Sequence, residues 1–148
     1  MIIPDPSLKQ AQDKAMRDAW LMGPNSLANG AIEACYTYGD QWVDALNAYL
    51  TENARLVSDY LSEHAPAIDV VEPEGTYLMW LDCRRLGLSS QEIVDRLVKE
   101  QGMAIGSGAG YGDNAEGFLR LNIGCPKATL MQGLEKLARF VSDVEKER

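Results

Sequence analysis

Residues 117–126, GFLRLNIGCP, restrict the fold of this chain more than any other stretch. Phe118, Leu119, Leu121 and Ile123 are apolar, and Arg120 interrupts them. The segment reads as a short buried strand carrying one cation. Pro126 fits the first position of a closing helix, whose stripe is Leu130, Leu134, Leu137, Val141 and Val144. A guanidinium stays charged and is costly to bury alone. Arg120 therefore requires a carboxylate, either internal or carried by a ligand. Burial physics alone leaves both open.

The segments before this strand supply what it packs against. A helix is expected from about residue 8 to 21, with Ala11, Met16, Ala19 and Trp20 as its apolar stripe. Gly23, Pro24 and Asn25 break it. Asn25 or Ser26 caps the next helix, where Leu27, Ala28, Ala31, Ala34 and Cys35 form a small-residue face suited to close packing. Asp40 caps a long helix over about residues 41–63. Its stripe runs Trp42, Ala45, Leu46, Tyr49, Leu50, Leu56, Val57, Tyr60 and Leu61, so it reads as the spine of the domain.

The remaining half alternates strands and helices. Residues 68–71 and 77–81 read as two strands joined by the turn Pro73, Glu74, Gly75, Thr76. Ser89 with Glu92 three residues on is a capping box; it opens a helix carrying Ile93, Leu97 and Val98 that Gly102 ends. Residues 103–105 read as a short strand running into the glycine-rich stretch 106–112. The order β-β-α-β-β-α after three helices predicts an α+β fold. It consists of a small mixed or antiparallel sheet of about four strands packed with helices, one of them long. The 148 residues fit a single domain with its own core.

Composition excludes several functions. A net charge of −8, with no run of Lys and Arg, argues against nucleic acid. No segment is apolar for long enough to anchor in a membrane. Cys35, Cys83 and Cys125 are scattered and odd in number, which points to reduced thiols in a cytoplasmic protein. The single histidine, His64, stands at a helix end, so neither a Cys–His pair nor a metal site is expected. Cys125 as a thiol nucleophile is the weakest functional reading. The stretch 106–112 has neither the spacing of a dinucleotide fingerprint nor a Gly-Lys-Ser/Thr ending. It reads as a flexible loop between strands whose glycines let a backbone approach a ligand. Tyr77 and Trp80 read as core, and Asp82, Arg84 and Arg85 as a locally paired cluster.

Three blocks in order carry a resemblance: PEGTYLMWLD at 73–82, the strand and glycine stretch at 103–112, and GFLRLNIGCP at 117–126. With IIPD at 2–5, residues 23–36 and GDQWVDALNAYL at 39–50, they resemble the C-terminal third of fold-type I pyridoxal-phosphate (PLP) enzymes. The match is to the MalY/PatB branch of aminotransferase-like cystathionine β-lyases, or C–S lyases. The resemblance covers essentially the whole chain.

The resemblance implies that Arg120 of the R-x-N strand binds the α-carboxylate of an amino-acid substrate, with Asn122 beside it. A planar guanidinium grips a carboxylate with two hydrogen bonds, and fixing that end orients the substrate. It implies that Gly75, Thr76 and Tyr77 lie near the substrate. It also implies that Asn25 and Ser26 approach the cofactor of a neighbouring subunit in a homodimer. In the family the Schiff-base lysine lies just upstream of the IIPD-like strand, where this chain begins. The resemblance therefore implies a piece of a larger PLP enzyme without its large cofactor-binding domain. It implies no covalently bound cofactor, no catalytic residue of its own and no activity in isolation. Transaminase and lyase both remain open. The alternative is a non-catalytic carboxylate-binding or interaction module on the same fold.

Overall fold

The computed structural model describes residues 2–21, 23 and 25–148, with the backbone alone at Ser26 and Asp113. The chain divides into two compact units, Met1–Val43 and Asp44–Arg148.

The first unit holds two helices that start where short polar side chains cap them. Helix α1, Pro6–Asp18, begins with the Asp5 carboxylate accepting the N–H groups of Ser7 and Leu8 at 2.8 and 3.1 Å. This offsets the orphan donors of a first turn. The helix stops before residue 21, and Trp20 turns left-handed with φ 56°. Helix α2, Ser26–Tyr38, is capped by Asn25, whose Oδ1 accepts from Leu27 and Ala28 at 2.9 and 3.0 Å. The stripes expected to be buried are not. Trp20 is 84% exposed and Leu27 82%, and Ala31, Ala34 and Cys35 are exposed as well.

Helix α3, Asp40–His64, runs from the first unit into the second. Only its C-terminal half reaches the core, through Asn53, Val57 and Leu61. Trp42 and Ala45 of the expected stripe are exposed.

The sheet of the second unit contains β1 (Asp69–Val71), β2 (Leu78–Asp82), β3 (Gly106–Ser107) and β4 (Phe118–Asn122). Its order is β1-β2-β4-β3 and every pairing is antiparallel. Met79, Leu81, Leu119 and Leu121 face the core. They pack with Ile93 of α4 (Ser90–Arg96), with Leu97, and with Leu130, Leu134, Leu137, Phe140, Val141 and Val144 of α5 (Lys127–Lys146). Each buried aliphatic or aromatic side chain there contributes roughly 1.5–3 kcal/mol. The capping box at Ser89 and Glu92 is formed. A π-helical turn, Leu97–Gln101, extends α4 until Gly102 ends it with φ 58°. Pro126 stands one residue before α5, as its cap. No helix among the described residues is long and apolar enough to cross a membrane.

Two expectations change here. The third strand is not 103–105 but Gly106–Ser107. A Cβ on Gly106 would stand 3.3 Å from the Arg120 Cβ, a tight contact that glycine avoids at this pairing. Beyond it the glycine stretch is not a plain loop. It folds into two 3₁₀ turns, Gly108–Tyr111 and Asp113–Ala115. Second, β4 is not uniformly buried. Side chains alternate across a strand, so Leu119 and Leu121 point into the core while Phe118, Arg120 and Asn122 point to the other face.

Candidate functional site

The outer face of the sheet holds the site. The strand registers place Val71, Trp80, Arg120 and Gly106 in one row across β1, β2, β4 and β3. Arg120 is half-buried and forms no ion pair among the described side chains. Its guanidinium lies over the Tyr111 ring, 4.8 Å from the centroid, in a favourable cation–π position. The edge of Tyr111 in turn meets Trp80, with ring centroids 5.3 Å apart at 83°.

Both ends of β4 are pinned, which fixes where Arg120 stands. At its start, buried Ser90 accepts the Gly117 N–H at 2.7 Å through its hydroxyl, and donates its own N–H to Glu116 at 2.7 Å. The Gly117 carbonyl accepts from Cys83 N–H at 2.8 Å. At its end, Asn53 of α3 donates to the carbonyls of Ile123 and Cys125 at 2.8 and 3.4 Å, and the Tyr49 hydroxyl donates to Cys125 at 3.0 Å. Asn53 is fully buried and its Oδ1 has no partner. Sequence reasoning passed over Asn53, Ser90 and Tyr111. The one available signal was a polar Asn53 between Leu50 and Val57 on an otherwise apolar stripe.

The structure brings some of the expected residues together. Gly75, Thr76 and Arg120 line one cleft of ≈410 Å³ with Trp80 and Tyr111. Thr76 has φ 66°, a strained conformation for a β-branched residue, and its hydroxyl accepts from Leu78 N–H at 3.3 Å. Asn122 opens instead on a cavity of ≈490 Å³ shared with Arg120, Cys125 and Lys136. Its Oδ1 accepts the Gly124 N–H at 2.8 Å. Tyr77 does not line the Arg120 cleft. It lies against Gly124, where an added Cβ would meet its ring at 3.4 Å. Asn25 spends its carbonyl oxygen capping α2, and the Ser26 side chain lies outside the described residues.

Charge around the site is locally paired. Arg84 binds Asp82, with Nε 2.9 Å from Oδ1, and Arg85 binds Asp69 at 2.8 Å. These neutralise two carboxylates that face each other across β1 and β2. The Arg84 hydrogen bonds hold the Asp82 carboxyl below its ordinary range. Burial, followed by the neighbouring Asp82 charge, pushes the Cys83 thiol up to about 12. The His64 ring meets Tyr60 with centroids 4.3 Å apart, tilted at 49°, beside Glu63. No group of three metal-ligating side chains forms among the described residues.

No family model matches this chain. It is 38% identical over 143 residues to cystathionine β-lyase PatB of Bacillus subtilis, covering 96% of this chain and 37% of PatB. It is 35% identical over 142 residues to protein MalY of Escherichia coli, covering 90% of this chain and 36% of MalY. Among solved structures, cystalysin of Treponema denticola, which contains PLP, superposes with a TM-score of 0.85 at 29% identity. That match covers 97% of this chain and 36% of cystalysin. The PLP-bound C–S lyase of Staphylococcus hominis superposes with a TM-score of 0.82 at 28% identity, covering 95% and 36%. The chain thus spans little more than a third of the length of the curated relatives it matches.

Proposed function

We propose that this chain, a homologue of the MalY/PatB cystathionine β-lyases along nearly all of its length, is the C-terminal domain of a PLP-dependent enzyme acting on amino acids. In this reading Arg120 binds the substrate α-carboxylate. The enzyme is an aminotransferase or a C–S lyase and works as a homodimer. The observation that carries the reading is Arg120 itself. It is a cation held in a fixed place, beside Gly75 and Thr76, with no carboxylate partner among the described side chains. Arg84 and Arg85, which flank the sheet, each have one.

The work of these residues is positioning. The Tyr111 ring holds the guanidinium plane, leaving its N–H donors for a planar anion. The pinned ends of β4 keep that anion at a fixed height above the sheet. Holding the substrate by one end supplies orientation rather than bond cleavage. No covalent attachment of PLP to this chain is expected. No lysine lines the cleft shared by Gly75, Thr76 and Arg120. Lys9, Lys14, Lys127 and Lys146 are each engaged with a carboxylate. Lys136 lines the cavity that Arg120 shares with Asn122 and donates to the Gly102 carbonyl at 3.2 Å, and Lys99 is exposed on the π-helical turn.

Calorimetry with amino acids and keto acids tests the carboxylate role. Binding that disappears in Arg120→Ala, with folding intact, supports it. Absence of binding to the parent chain, with large destabilisation of Arg120→Ala, refutes it in favour of a structural role. Incubation with PLP followed by borohydride is expected to leave no stoichiometric adduct. A full adduct on one specific lysine overturns the expectation of an inactive isolated chain.

A further inference from the structure

We propose that the outer face of the sheet is a two-part cleft for an aryl-bearing α-amino acid, with Arg120 taking the carboxylate and Trp80, Tyr111 and Phe118 taking the ring. The inference rests on the reading of Arg120 as a carboxylate anchor and adds the side-chain class to it.

Two cavities meet on this face. One, of ≈410 Å³, contains Arg120. The other, of ≈350 Å³, is lined by Phe118, Ala115 and Asn114. Val71, Trp80 and Tyr111 line both, so the cationic and apolar ends are continuous. Trp80 is the hinge of the arrangement. Tyr111 stands 5.3 Å from it at 83°, and Phe118 is 6.4 Å away at 82°. Three rings set edge to face present π surfaces and ring edges to a further aromatic ring, the geometry in which aromatic pairs attract.

The backbone keeps this box open. Gly106 closes the row beyond Arg120 without a side chain. Gly108 carries Tyr111 into place, and a Cβ there would collide with the Ala115 carbonyl. Arg84 lies over the Phe118 ring, 4.9 Å from its centroid, and is already paired with Asp82. The only cation in either cavity is therefore Arg120. Glu72 and Glu74 are exposed on the rim of its cavity, where they favour a ligand that brings an ammonium group together with its carboxylate.

The test is a side-chain NMR titration of the full chain with L-phenylalanine, L-alanine and the uncharged N-acetyl-L-phenylalaninamide. Phenylalanine is expected to move both the Trp80 indole N–H and the Arg120 Nε–H, saturating at roughly a tenfold lower concentration than alanine. N-acetyl-L-phenylalaninamide should move neither at that concentration. Arg120→Ala should abolish the response to phenylalanine. Phe118→Leu, which keeps an apolar side chain on the outer face, should weaken phenylalanine and leave alanine unchanged. Equal saturation by alanine and phenylalanine at Arg120, with Trp80 silent, overturns the aryl preference and leaves the carboxylate reading standing. Silence of Arg120 towards both amino acids overturns both.

Discussion

Gly117 is the residue at which a single added methyl group most directly tests how Arg120 is positioned. Its φ is 80°, and an alanine Cβ there would lie 2.5 Å from Arg84 Cγ and 3.5 Å from Arg84 Cα. The backbone cannot rotate away, because its N–H is held by Ser90 and its carbonyl by Cys83 N–H. Left-handed strain costs about 1–2 kcal/mol for a residue with a Cβ, and overpacking adds about 1 kcal/mol. Loss of glycine from the unfolded chain returns about 0.4–1 kcal/mol. The net expectation for Gly117→Ala is a destabilisation of about 2 kcal/mol. Gly110 is the control. It lacks a positive φ, and a Cβ there meets nothing within 4 Å. Gly110→Ala should therefore be neutral or stabilise by up to about 1 kcal/mol. Urea unfolding followed by far-UV circular dichroism measures both. A difference below about 1 kcal/mol between the two variants would refute the claim that a conformation only glycine tolerates anchors β4.

Three further outcomes are expected. Ser90→Ala leaves the buried Gly117 N–H without its acceptor and should destabilise by about 1–3 kcal/mol; a loss below about 0.5 kcal/mol contradicts the clasp. Asn53→Asp places a carboxylate in a fully buried site facing the Ile123 carbonyl. Its folded pKa is raised, so the loss of about 3 kcal/mol or more at pH 7 should shrink towards pH 4, where the group is protonated; a pH-independent loss counts against it. Cys83 is buried, with its thiol raised from 9.0 to about 12. A proton held more tightly in the fold stabilises below pH 9 and its contribution is lost as pH rises towards 12. Alkaline destabilisation should thus be shallower in Cys83→Ala, and Ellman's reagent should modify exposed Cys35 while sparing Cys83 until the chain unfolds.

How far the sequence was legible follows the range of the forces involved. A helix cap at Asn25 or Ser26, the capping box at Ser89 and the helix stop at Gly102 were readable, because their determinants lie within four residues of each other. The order of helices and strands along the chain followed from them; the order of the strands in the sheet did not. Boundaries slipped where tertiary contact decided. The strand expected at residues 103–105 formed at Gly106–Ser107, where the backbone meets Arg120 and Leu119 of β4. The stripes of α1 and α2 were periodic in the sequence yet stayed exposed, since periodicity names an apolar face without supplying what covers it.

Sequence alone therefore determined an α+β chain with a four-stranded sheet, a long third helix and one arginine out of place among apolar residues. It also carried the resemblance to the MalY/PatB enzymes. Only the tertiary structure decided what that arginine is. Alternation placed it on the outer face, Tyr111 from the glycine-rich turn came over its guanidinium, and Asn53, 70 residues from Ile123, fixed the end of its strand. Such contacts are made between segments far apart in the chain. No local pattern encodes them, because each depends on where the packed core brings the two backbones together.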